Sequence, residues 1–184
     1  ILAGIAAFDA GGTLADHPAL SALFEEGGDA ASRLAHGFSR IVAAGLAEAP
    51  LAHVPLRHFT DSVISTLLLA QSGQVTLSLA AIAGEALRTV PPPATVTFGT
   101  CASWEHVLGG TARAELVECG TCGERDAKLR RRGLALAPGS VIRRDGSRQA
   151  LVIHEAEGCL VSLRLQRRQA RAGPAREYEL ATGR

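Results

Sequence analysis

Asparagine and methionine are absent from these 184 residues, lysine occurs once (Lys128), and only seven side chains are aromatic: five Phe, one Trp and one Tyr. Without Asn there is no N-glycosylation acceptor. With so few rings, the core must be assembled from Leu, Val, Ile and Ala. Long apolar runs are missing too, so no membrane-spanning helix, and no membrane association, is expected. Cysteine is scarce: Cys101, Cys119, Cys122 and Cys159 are too few for a disulfide scaffold of this length. A reducing, cytoplasmic setting is the expectation. The chain opens without Met or a basic leader, and residues before Ile1 are expected.

What is present favours a folded chain. Hydrophobic residues make up 47% and charged residues 20%, enough for a sizeable core and too apolar for bulk disorder. The net charge of +1 hides an asymmetry. Residues 1–95 carry four arginines against eight acidic side chains, whereas residues 96–184 carry fifteen basic against ten acidic. Arginine suits carboxylate or phosphate recognition, because its planar fork donates in pairs. The arginines cluster at 130–132, at 143–144 and at 164, 167, 168 and 171. Nucleic-acid binding needs such clusters interleaved with aromatics. The second half offers only Phe98, Trp104 and Tyr178, so nucleic acid is not the expected partner.

Periodicity divides the chain. Asp16 is placed to cap a helix starting at Pro18, and Asp29 a second helix over residues 30–45, where Leu34, Phe38, Ile41 and Val42 fall at helical spacing. Pro50 and Pro55 end that region, with His53 between them. The expected organisation is an N-terminal helical segment over 1–55 and a β domain over 56–184. Beyond Arg57 the period becomes two. Val75, Leu77 and Leu79 share one face, and Gln74, Thr76 and Ser78 share the other. Further strands are predicted at 63–69, 95–98, 112–119, 134–136, 141–143, 150–154, 159–165 and 177–180. The fold class is therefore mainly β, an antiparallel barrel or jelly roll preceded by helices.

The stretch 134–141, Leu-Ala-Leu-Ala-Pro-Gly-Ser-Val, followed by the Asp145-Gly146 turn and a strand at 150–154, resembles the second motif of the cupins. Ser103-Trp104-Glu105-His106 resembles the place of the first motif. The resemblance implies a cupin-like barrel over roughly residues 60–180. It also implies a ligand site at the barrel mouth built from Trp104, Glu105 and His106, and pairing into a homodimer. Metal-dependent cupins carry His-x-His and Glu in the first motif and a further His in the second. Here only His106 stands in the first region, and Arg148-Gln149 in the second. The expectation is a non-catalytic binding or assembly protein, taking a small ligand or a protein partner, with no cofactor.

Two alternatives come from shorter motifs. Residues 5–16, with Asp9-Ala-Gly-Gly-Thr-Leu-Ala-Asp16, resemble the first motif of haloacid-dehalogenase-type phosphohydrolases, which would make Asp9 a nucleophile on an apolar strand. Cys119-Gly-Thr-Cys122 has the spacing of half a zinc site, with Cys101, Cys159, His106 and His154 as candidates to complete it.

Overall fold

A computed structural model describes residues 1–51, 56–169 and 174–184. The expected boundary at residue 55, His53 and Arg171 lie outside the described residues. The protein is mainly antiparallel β with an N-terminal helical segment, as the change of period indicates.

The N-terminal segment begins with helix α1 (Leu2–Ala10), where a strand is expected from the phosphohydrolase resemblance. Alanine-rich sequence favours helix, and Ile5 and Phe8, three residues apart, bury one side of it. Asp16 does not cap the following helix. Its carboxylate accepts from the Thr13 backbone N–H (2.7 Å) and hydroxyl (2.9 Å), closing a short 3-10 turn. The single helix expected after Pro18 is instead a short α2 (Pro18–Ser21) and a 3-10 turn over Ala22–Phe24. Helix α3 (Ala30–Glu48) begins where the sequence indicates, but Asp29 makes no side-chain cap there, and its carboxylate pairs with Arg33 instead.

Among the described residues nine strands follow: β1 (His58–Thr60), β2 (Ile64–Ser72), β3 (Val75–Ala83), β4 (Thr95–Phe98), β5 (Cys101–Cys122), β6 (Ala127–Leu136), β7 (Val141–Asp145), β8 (Gln149–Arg168) and β9 (Arg176–Glu179). A short helix, α4 (Gly84–Thr89), separates β3 from β4. The main sheet runs β1-β2-β3-β8-β5-β6, with β7 also paired to β5, and β4 and β9 form a second, two-stranded sheet. Three strands are far longer than the sequence suggests, among them β6, which begins seven residues before the predicted 134. Predicted strands 150–154 and 159–165 are one continuous β8, and β5 begins eleven residues before the predicted 112. The segment Ser103–His106 is therefore strand, with β7 on one side and β8 on the other.

These long strands bend. Register shifts interrupt β5 against β8 at Val107/Gly109, Gly109/Thr111 and Arg113/Ala114, and such bulges turn a sheet. Ile153 and Arg164 would lie roughly 36 Å apart on a straight strand. They nevertheless line one cavity of about 500 Å³. The sheet is thus rolled, in a cupin-like jelly-roll manner. One face of its β3, β8 and β5 strands packs under the N-terminal segment, where Val75, Leu77, Leu163 and Leu165 form one core with Ile5, Phe8, Leu20, Leu23 and Phe24.

Candidate ligand cavity

Strand alternation decides which side chains meet. On β3, β8 and β5 the antiparallel register sets Ser78 opposite Arg164, and Arg164 opposite Glu105. The neighbouring row runs Thr76, Gln166, Ser103, and continues across to Arg144 on β7. Side chains two apart share a face, so one polar face carries Glu105, Arg164, Arg144, Ser103 and Gln166. The other face carries Leu77, Leu165 and Trp104 in one row, and Leu79, Leu163 and His106 in the next.

The polar face forms one wall of the 500 Å³ cavity, through Glu105, Arg144, Arg164 and Gln166. Apolar groups also line it, among them Ile64, Ile82, Leu87, Val96 and Val152. Glu105 is only 3% exposed. Arg164 donates to its Oε2 at 3.1 Å and Arg144 to its Oε1. Burial alone would raise the Glu105 pKa, but the Arg164 and Arg144 charges and hydrogen bonds outweigh it and hold the carboxyl below its ordinary value. Two guanidinium groups against one carboxylate leave a surplus of one positive charge. The Nε atoms of both arginines are buried and have no hydrogen-bond partner among the described residues. Buried donors without acceptors are costly, and a charge-assisted acceptor would satisfy them.

The three residues expected at a barrel mouth are split by the pleat. Glu105 reaches the cavity. Trp104 packs edge-on against Phe8, with ring centroids 5.6 Å apart, and the buried His106 places Nδ1 2.9 Å from the Leu23 carbonyl oxygen. Both anchor the helical segment, because residues 104 and 106 lie one position either side of Glu105 on a strand. Of the apolar faces of residues 75–79 and 159–165, Val75, Leu77, Leu79, Leu163 and Leu165 likewise pack under helices, and on the alternate face Arg164 and Gln166 line the cavity. Arg148 and Gln149 point elsewhere, to the Gly120 carbonyl (3.0 Å) and to Glu118 (2.8 Å). Arg144 and Arg164 were visible only as members of basic clusters. The signal that singles them out is cross-strand: the polar face of 162–166 meets the polar face of 74–78.

Neither alternative is favoured. Asp9 sits at the end of a helix, not on a strand, and its carboxylate accepts the Gln74 backbone N–H at 2.8 Å, tying down the β2–β3 turn. Cys119 and Cys122 are joined as a disulfide at the end of β5. Among the described residues no group of three or more His, Cys, Asp or Glu side chains gathers to hold a metal ion. Cys101 and Cys159 are free thiols, and His106 and His154 do not complete a set with the pair.

No family model matches this sequence, and no curated protein shows significant similarity to it. Solved structures do. A 7S globulin of Momordica charantia is 12% identical, with 70% of this chain and 36% of that chain covered and a TM-score of 0.42. The chain therefore spans about a third of that globulin's length. The CENP-C cumin domain of Drosophila melanogaster is 11% identical, with 60% and 72% covered and a TM-score of 0.46. A variant of Streptomyces PAC13, solved with uridine, is 10% identical, with 67% and 85% covered and a TM-score of 0.43. No helix among the described residues is long and apolar enough to cross a membrane.

Proposed function

We propose that this chain is a non-catalytic binding module whose cavity takes a small monocarboxylic acid with a short apolar tail. One observation carries the reading: Arg144 and Arg164, which line the cavity, share a single buried carboxylate, and this leaves surplus positive charge beside apolar groups. The carboxylate end of the ligand accepts from the arginines, and the tail lies against Ile82, Leu87 and Val96. The volume is in the range of small-molecule sites, roughly 300–1,000 Å³. Glu105 orients the arginines and moves no proton. Titration calorimetry with a series of straight-chain carboxylic acids tests this. Saturable one-to-one binding is expected, and Arg164→Gln should weaken it at least tenfold, about 1.4 kcal/mol. Binding that ignores chain length and survives the substitution would leave only the reading as a protein-docking or assembly module.

The same reading takes the working unit to be a cytoplasmic homodimer paired through an open sheet edge. The edge strand β1 supports it, since Phe59 there is 66% exposed. Sedimentation equilibrium should return a dimer mass that Phe59→Glu converts to a monomer. A monomer mass for the unmodified chain would refute the pairing.

A further inference from the structure

We propose that Cys119 and Cys122 form a thiol–disulfide exchange site for low-molecular-weight thiols, independent of the acid-binding cavity. The two residues are three positions apart at the end of β5, with Cα atoms 5.9 Å apart, inside the range a disulfide spans. A register shift between Cys119 and Thr121 brings both side chains to one side of the strand end. Closing so short a loop constrains the unfolded chain less than a long-range bridge would, roughly two-fifths as much as closing a loop of about 100 residues. A chain with this much apolar core does not depend on it. Its surroundings point instead to reactivity.

The pair is asymmetric. Cys119 is 2% exposed and packed with Phe98, Val117 and Tyr178. Cys122 is half-buried and lines a small cavity of about 140 Å³ with Phe98, Ser147, Arg176 and Tyr178. One sulfur can be reached and the other is sheltered, as a two-step exchange requires. Two cations flank the loop: Arg176 donates to the carbonyls of Cys122 (2.8 Å) and Gly123 (3.2 Å), and Arg148 to that of Gly120 (3.0 Å). In exchange a thiolate is both the nucleophile and the leaving group. Tyr178 donates to the Gly123 carbonyl at 2.5 Å and fixes the turn. Cys101 and Cys159 are free, without a disulfide partner among the described residues.

The exchange balances with two equivalents of a monothiol. The thiolate of the first attacks Sγ of Cys122, forming a mixed disulfide there, and the Cys119–Cys122 bond breaks with its electron pair leaving on Cys119. A second thiolate attacks the sulfur of the bound monothiol. Cys122 leaves as thiolate, both cysteines take up protons, and the two monothiols depart as one disulfide. The chain gains two electrons and two protons.

The full chain is equilibrated with mixtures of reduced and oxidised glutathione, quenched with acid, alkylated, and mapped by peptide mass spectrometry. The expected result is a reversible passage of the pair from disulfide to dithiol as the mixture becomes more reducing. In Cys119→Ser, a glutathione adduct should form on Cys122 at least tenfold faster than on Cys101 or Cys159. A pair that stays oxidised, or stays as two thiols, across every mixture overturns the proposal. So does an adduct at Cys122 no faster than at the other two, or stoichiometric zinc on the isolated protein. If Cys119→Ser does not fold, the titration of the unmodified chain decides alone.

Discussion

Glu105 is held between two guanidinium groups, and its worth to the fold depends on its charge. Replacing it by glutamine keeps the shape and leaves Arg144 and Arg164 largely buried without a counter-ion. Breaking a buried pair from one side typically costs about 3–5 kcal/mol, and the partly exposed arginines place this case at about 3 kcal/mol. The same change doubles the surplus charge in the cavity, so Glu105→Gln should lose stability while binding a carboxylic acid more tightly. Its pH dependence follows from the folded pKa lying below the ordinary 4.5. The unfolded chain then takes up the proton more readily than the folded one. The contribution of Glu105 is whole above about pH 4.5 and is lost as pH falls through the folded value. Denaturant unfolding measured between neutral pH and pH 3 should show a decline that Glu105→Gln lacks in part. An unchanged acid limb in the variant would show that the pair contributes nothing.

Among the elements, the central pair β5–β8 determines most of the architecture, and its bulges are the points where the sheet turns. Gly110 has a φ of +78° within the Gly109/Thr111 register shift, and a Cβ there would lie 2.3 Å from the Cys159 carbonyl oxygen. Both the backbone region and the contact exclude a side chain. Gly110→Ala should therefore cost at least about 2 kcal/mol, by strain and by displacing β8. Thermal unfolding would check it, and a melting temperature within a degree of the unmodified chain would refute it. Much of this level was legible in the sequence. Two-residue alternation located most strands, because a half-buried strand must sort its side chains by face. What alternation cannot tell is which cover lies on the apolar face. Leu77 and Leu165 read equally well as barrel interior or as the floor beneath a helix, and only the N-terminal segment settles the choice. Turn residues misled in the same physical way: Gly158 interrupts the pattern at 159–165, yet at φ +65° it bends β8 without ending it. Trp104, Glu105 and His106 were found as a group because they are adjacent in the chain. On a strand adjacency means opposite faces, so of the three Glu105 alone lines the cavity, and its arginines come from strands distant in sequence.

For the whole molecule, the charge asymmetry and the two periodicities describe one arrangement. The arginine-rich half forms most of the rolled sheet, and part of its charge is spent in pairs such as Arg113 with Glu155 and Arg131 with Glu115. The acidic, helical first segment covers the apolar face that this sheet cannot bury by itself. Ile5, Phe8, Leu20, Leu23 and Phe24 are each at most 3% exposed there. Burial of such side chains contributes about 1.5–3 kcal/mol each, so the five amount to roughly 8–15 kcal/mol as an upper bound. That is comparable with the whole net stability of a typical domain, about 5–15 kcal/mol. His106 and Arg167 reinforce the cover with hydrogen bonds to the carbonyls of Leu23, and of Phe8 and Gly12. The helical segment therefore belongs to the folding unit. A chain beginning at residue 56 exposes Val75, Leu77, Leu163 and Leu165 as one contiguous patch, and it should aggregate or bind a hydrophobic dye strongly at neutral pH. Supplying residues 1–51 as a separate peptide should suppress the dye signal by covering the same face. A truncated chain that stays monodisperse, melts cooperatively and leaves the dye dark would show that the sheet closes on its own core, and that the helices are an appendage.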